Sequence, residues 1–275
     1  MRRVLLGSVL IAIVSVPAVS IGQWLRYPTA DVPRNADGTP NLTAAAPRLP
    51  DGKADFSGLW HVAMRNPCNA ALNRFSGCTE IGGSPLARDL GVNLPGGLPY
   101  QPWAAELVKQ RMAAFAKDDP IGLCRPGGLF RFHTYPPPRK MLQLPNLVVI
   151  LSERDVTYRQ IFVDGRTLPA DPEPTWNGYS VGKWDGDTLV VDSNGFRDDT
   201  WIDRNGSPLT SAARVTERFR RPDFGHLQIE VTVNDPKAYG RPWTVTLTQD
   251  LAVDTELLDY HCTDNERSAG RLVGP

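Results

Sequence analysis

A period of two restricts what this chain can fold into more than any other feature. From His226 to Asn234 the apolar residues are Leu227, Ile229, Val231 and Val233, with Gln228, Glu230, Thr232 and Asn234 between them. From Trp243 to Gln249, Trp243, Val245 and Leu247 alternate with three threonines. Alternate side chains of a strand leave on opposite faces, so each run predicts a half-buried strand. Similar runs cover residues 56–63, 141–152, 156–163, 178–184, 188–193, 214–220 and 255–262. Asp164-Gly165 and Asp185-Gly186 are tight-turn pairs, and the second predicts a hairpin. Only residues 103–117 read as a helix, with Leu107, Arg111 and Phe115 on one stripe beside Val108 and Met112, and Asp118-Asp119-Pro120 as its stop. Strands do not alternate with helices, which argues against a parallel doubly wound sheet. The expected fold is mainly β: an antiparallel, lipocalin-like barrel of about eight or nine strands, with one helix and long loops.

Composition narrows the partners. Thirty basic residues balance thirty acidic ones, which leaves no polybasic footprint for nucleic acid. With 24 glycines and 25 prolines in 275 residues, the composition argues against a long helical bundle. The start of the chain reads as a secretory leader. Arg2 and Arg3 precede the apolar run Val4 to Val16, Pro17 ends it, and small-x-small sites follow at Ala18/Ser20 and Ser20/Gly22. The run is short for a bilayer span. The expected organisation is a signal peptide at 1–22, a Pro/Gly-rich extended arm at 23–55 and one barrel domain at 56–275, exported to the periplasm or beyond and not inserted in a membrane. Within the arm, Asp37-Gly38-Thr39-Pro40-Asn41-Leu42-Thr43 is echoed fourteen residues later by Asp51-Gly52-Lys53-Ala54-Asp55-Phe56-Ser57. The arm either lies over the domain or trails from it.

Export into an oxidising compartment makes disulfides the default for Cys68, Cys78, Cys124 and Cys262. Three pairings are possible. Cys68–Cys78 would close a small loop, and Cys124–Cys262 would close a long one. There is no C-x-x-C and no His pair at ligand spacing, so no metal is expected. Nor is there a phosphate loop, a dinucleotide fingerprint or a serine elbow, and no cofactor is expected.

Two charged residues fall on apolar strand faces. Glu217 lies between Val215 and Phe219, and Arg159 shares its face with Ile161 and Val163. A carboxylate there must be paired, hydrogen-bonded or shifted in pKa. A buried Arg159–Glu217 pair would either satisfy itself structurally or face a cavity and orient a ligand. Aromatics gather nearby in sequence. Trp176, Tyr179, Trp184 and Trp201 fall close together, Trp201 is followed by Asp203, and the loop Phe132-His133-Thr134-Tyr135 adds an imidazole and a phenol. Such walls suit small-molecule pockets, and loop packing is the alternative.

One stretch carries a resemblance. Asp51 to Trp60, Thr175-Trp176-Asn177-Gly178-Tyr179-Ser180-Val181-Gly182-Lys183-Trp184-Asp185-Gly186-Asp187-Thr188-Leu189-Val190-Val191-Asp192, Thr200 to Asp203, Val215 to Arg218, Asp235 to Tyr239 and Arg241 to Thr244 form its motifs. Over about residues 37–266 the chain resembles a large group of exported soil-bacterial proteins, largely without assigned activity. The resemblance implies the same fold and export, and little chemistry. In that group a His often follows the Asp-Gly-Arg turn and another follows the Trp-x-Asp loop; here those places hold Leu168 and Leu209. Whether they mark the loss of a group activity is left open. Separately, Gly58-Leu59-Trp60 looks like the G-x-W that opens lipocalin barrels, where the Trp closes one end under a basic side chain from a late strand.

These readings converge on three functions. The first is a cofactor-independent lyase, isomerase or decarboxylase acting on a small aromatic or plant-derived compound. Arg159 would hold an anion, Glu217 or His133 would move the proton, Tyr135 or Tyr179 would polarise a phenol or carbonyl, and Trp176 and Trp201, with Asp203 beside them, would wall the substrate. The second is a non-catalytic small-molecule binder using the same cavity. The third is an envelope interaction module with a filled barrel. The expected partner is a small-molecule ligand or substrate, and the oligomeric state is open.

Overall fold

A computed structural model describes residues 28–63, 84–154 and 156–264. The leader at 1–22 and the Cys68/Cys78 pair lie outside them. In chain order the elements are β1 Gly58–Val62, α1 Pro85–Arg88, α2 Pro102–Ala113, α3 Gly128–Thr134, β2 Arg139–Leu144, β3 Leu147–Ser152, β4 Tyr158–Phe162, β5 Tyr179–Asp185, β6 Thr188–Asn194, β7 Thr200–Trp201, β8 Pro208–Leu209, β9 Arg214–Arg220, β10 His226–Asn234 and β11 Trp243–Leu251. Nine strands close into a barrel in the order β1-β11-β10-β9-β6-β5-β4-β3-β2, and β7 and β8 form a separate two-stranded ribbon. Every barrel pairing is antiparallel except β4 with β5, which is parallel and is joined by residues 163–178.

The alternation read in the sequence sorts inside from outside. Leu227, Ile229, Val231 and Val233 of β10 and Trp243, Val245 and Leu247 of β11 are buried, and they pack with Val148, Ile150, Ile161, Val191, Val215 and Phe219 into one core.

Some elements differ from expectation. Residues 141–152 are two strands, because Pro145-Asn146 forms the turn of a β2–β3 hairpin. Residues 255–262 form no strand and make a single bridge, Arg154 to Tyr260. The physical reason is closure: β11 already pairs with β1 and β10, so the ring offers that segment no edge. The helix at 103–117 ends at Ala113, since Phe115 and Ala116 adopt left-handed backbone (φ 54° and 53°). Its buried face is Ala104 and Val108, while Phe115 is 90% exposed. The Phe132–Tyr135 loop is mostly helix: α3 carries Phe132, His133 and Thr134 and is buried along its whole length.

The arm lies over the barrel, and its internal echo is a structural duplication. Asn35 N donates to Thr39 O (2.8 Å) as Leu49 N does to Lys53 O (2.9 Å). Arg34 Nη1 donates to Gly38 O (3.2 Å) as Arg48 Nη1 does to Gly52 O (2.8 Å). Each arginine then reaches the barrel, Arg34 to Asp254 (2.6 Å) and Arg48 to Asp187 (2.7 Å). Both pairs are open to solvent, so they fix position more than they add stability.

Below the arm, Trp60 of the Gly58-Leu59-Trp60 start closes one end of the barrel. Trp60 is 1% exposed, and its Nε1 donates to Phe56 O (2.9 Å). Arg221, just after β9, lies 4.9 Å over its ring and donates to Asp55 O (2.7 Å). Gly58 has φ 145°, and a Cβ there would meet Leu251 Cδ1 at 2.7 Å, which is why the motif needs its glycine. The opposite end is filled by α3.

Cys124 and Cys262 are disulfide-bonded, with Cα atoms 5.4 Å apart. Among the described residues no helix is long and apolar enough to cross a membrane.

Candidate functional site

Two charged residues that alternation turned inward meet in the barrel. Arg159 of β4 and Glu217 of β9 are 2% and 0% exposed. Arg159 Nη1 donates to Glu217 Oε1 (3.0 Å) and its Nη2 to Oε2. This is the bidentate geometry that guanidinium and carboxylate favour. Arg159 also donates to Ser180 Oγ of β5 (3.0 Å) and Ser193 Oγ of β6 (3.2 Å), and the two serines bond each other (2.8 Å).

His133 joins from α3. Arg139 has only donors, and its Nη2 donates to Gln249 Oε1 (3.1 Å). The Gln249 amide nitrogen therefore faces α3, donating to His133 O (3.1 Å) and to Nδ1 (3.3 Å). That assigns the imidazole proton to Nε2, which faces Glu217 Oε1 at 3.4 Å. A continuous chain thus runs Arg139–Gln249–His133–Glu217–Arg159.

The electrostatics are quiet. Burial pushes the His133 imidazole down to about 4, although Glu217 opposes this. Burial alone would raise Glu217, but the Arg159 charge and the bonds from His133 and Arg159 outweigh it and hold the carboxyl at about 2. Near neutral pH the cluster is one cation, one anion and a neutral imidazole, and each carboxylate oxygen already has a donor. A proton carrier needs a pKa near working pH and a free valence. Neither group has both.

Stability should follow His133 as pH falls. Unfolded chains protonate histidine at about 6.5, while the folded chain resists to about 4. The unfolded state therefore binds more protons in that window, and stability drops by ~1.4 kcal/mol per pH unit from pH 6.5 downward. Glu217 continues the loss from about 4.5 towards 2. Urea midpoints at pH 7.5, 6 and 5 check this. His133→Gln should flatten the slope above pH 5, and an unchanged slope in that variant would refute the assignment.

Beside α3 a second polar group opens at the barrel mouth. A narrow cleft of about 20 Å³ is lined by Arg131, Tyr135, Arg139, Arg154, Thr157 and Asn177 among others. That is room for a small polar head and no more. Arg131 pairs with Asp119, through Nη2 to Oδ2 at 2.8 Å among other contacts. The Arg131 and Arg154 guanidiniums both lie near the Tyr135 ring, at 5.4 and 5.6 Å from its centre. Burial raises its phenol. A wider, shallower concavity of about 400 Å³ lies between α2 and β8, over Trp103, Leu107 and Lys237. Trp103 Nε1 is already engaged there, by Lys237 O (2.7 Å).

Of the residues singled out in the sequence, Arg159, Glu217 and His133 come together, and Tyr135 sits at the mouth cleft. The others lie elsewhere. Tyr179 is one residue from Ser180, so the pleat turns it outward, where it stacks on Phe162 and its hydroxyl accepts from Arg166 (2.8 Å). Trp201 is buried under Arg111 (4.2 Å), and Trp176 packs against Arg197 (4.8 Å). Neither walls the pair. Asp203 is a turn-holder, accepting from Ser207 N (3.1 Å), Ser207 Oγ (2.8 Å) and Leu90 N (3.2 Å). Leu209 is wholly buried in β8, and Leu168 is half-buried in the β4–β5 connection. Sequence reading missed Arg139, Arg131 and Gln249. The usable signal was Gln249, a polar residue in register with Trp243, Val245 and Leu247 on the inward face of β11.

No protein-family model matches the chain, and no curated protein is similar to it.

Proposed function

We propose that this chain is an exported, lipocalin-like protein that binds a small organic molecule at the α3 end of its barrel without turning it over. What supports binding over catalysis is the saturation of Glu217, which is 0% exposed and has Arg159 on both oxygens and His133 on one. No reacting atom can reach it while α3 stays seated. The mouth cleft beside α3 is the place where polar side chains meet solvent-sized space. Export rests on the leader pattern at 1–22 and on the Cys124–Cys262 bond, which suits an oxidising compartment.

A second reading, an acid–base lyase, isomerase or decarboxylase, is favoured by one observation. The chain from Arg139 through Gln249 links the mouth to the His133–Glu217 dyad. Thermal-shift and mass-spectrometric screening of the oxidised full chain against small aromatic acids, phenols and lignin-type dimers separates the two. Stabilisation without a mass change is the expected result. Stabilisation with product formation that His133→Gln removes would replace binding with catalysis, and silence across the panel would favour the interaction module.

A further inference from the structure

Unlike Arg131 and Arg159, which pair with Asp119 and Glu217, Arg139 is a buried cation at the barrel mouth without a counter-ion among the described residues. It is 1% exposed. Its acceptors are all neutral: Tyr135 O (3.0 Å), Pro137 O (3.2 Å) and Gln249 Oε1 (3.1 Å). No carboxylate pairs with it among the described residues, and burial alone pulls its pKa down to about 9. Its Nε–H has no acceptor, and the same is true of Nε of Arg131, which is 2% exposed and lines the same cleft. A buried cation without a counter-ion is costly, and an arriving anion relieves that cost.

The cleft also holds an unused acceptor. Asn177 Nδ2 donates to Tyr158 O (3.2 Å), which fixes the amide and leaves Oδ1 buried without a donor. A group that satisfies the cleft therefore brings one negative charge and one hydroxyl. The volume of about 20 Å³ admits only the head of such a ligand.

We propose that the cleft beside α3 binds the hydroxycarboxylate head of a small organic acid, the carboxylate meeting Arg139 and Arg131 and the hydroxyl donating to Asn177 Oδ1. This rests on the small-molecule reading above and gives that ligand a chemical class. The cation selects carboxylate over the neutral amide, and Asn177 selects hydroxy acid over plain acid.

Titration of the oxidised full chain with lactate, propionate and lactamide, followed by ligand-observed NMR, tests it. Lactate should bind about tenfold tighter than lactamide and roughly fivefold tighter than propionate, the ratios expected for losing one charged and one neutral hydrogen bond. Arg139→Met should abolish carboxylate binding. Because that side chain is buried, Asn177→Leu, at a half-buried loop position, is the second variant. It should bring lactate and propionate to equal affinity while both still exceed lactamide. Equal binding of lactate and lactamide, or an undiminished hydroxyl preference in Asn177→Leu, overturns the proposal. If none of the three probes binds but another compound stabilises the protein, this assignment falls and the small-molecule reading stands; if nothing binds at all, both fall.

Discussion

Replacing Glu217 by Gln is expected to cost ~3–5 kcal/mol of folding stability, the usual penalty for stranding one partner of a buried ion pair. In a domain of this size that lowers the melting temperature on the order of 10 °C. The amide still reaches Arg159, but it does not neutralise a guanidinium 2% exposed at the centre of the core. His133 also loses its charged acceptor. The double variant Arg159→Met/Glu217→Leu should be less destabilised than Glu217→Gln alone, because it removes both charges and leaves Ser180 and Ser193 bonded to each other at 2.8 Å. Chemical denaturation of the wild type, the single and the double variant measures all three. A Glu217→Gln protein that melts within about 2 °C of the wild type would show that the pair does not carry the core.

Opening the Cys124–Cys262 bond should have an effect of similar size. The cysteines are 138 residues apart in sequence. In the chain-entropy model a loop of that length is worth ~5 kcal/mol through restriction of the unfolded chain. The bond also anchors the segment after β11, which has no strand of its own, to the loop that precedes α3. The comparison should use Cys124→Ser/Cys262→Ser rather than a reductant, so that this bond alone is removed. Differential scanning calorimetry should find the variant tens of percent less stable in free energy, with β1 to β11 retained by circular dichroism. Superimposed melting curves would sink the expectation.

What was legible in the sequence was what a single strand decides for itself. Inward and outward faces of β4, β9, β10 and β11 follow from alternation alone, and that pattern turns both Arg159 and Glu217 towards the interior. Side chains one position out of phase were misjudged for the same reason. Tyr179 carries the right chemistry, but the pleat gives Ser180 the interior. The second half of the site was hidden. α3 is seven residues long, begins at a glycine with φ 72°, is followed by Pro136-Pro137-Pro138 and buries its polar residues with the apolar ones, so it has no solvent face to announce it. A helix buried all round has no period to detect. Arg139 opens β2 beside that proline run, and its lack of a carboxylate partner is a tertiary fact that no local pattern holds.

The single parallel pairing has a consequence of arithmetic. A closed ring in which every neighbour runs opposite must contain an even number of strands, and this ring contains nine. One joint must therefore break the alternation, and it falls between β4 and β5, where only Ile161↔Ser180 and Phe162↔Val181 are in register. Parallel neighbours cannot be joined by a tight hairpin, so residues 163–178 travel back along the barrel to its other end and deliver Asn177 to the mouth. The joint with the fewest paired residues is also the one that Arg159 spans, from β4 to serines on β5 and β6 and to Glu217 on β9. The core cluster thus works as a rivet through the seam of an odd-numbered barrel, holding from within a junction that backbone pairing alone leaves thin.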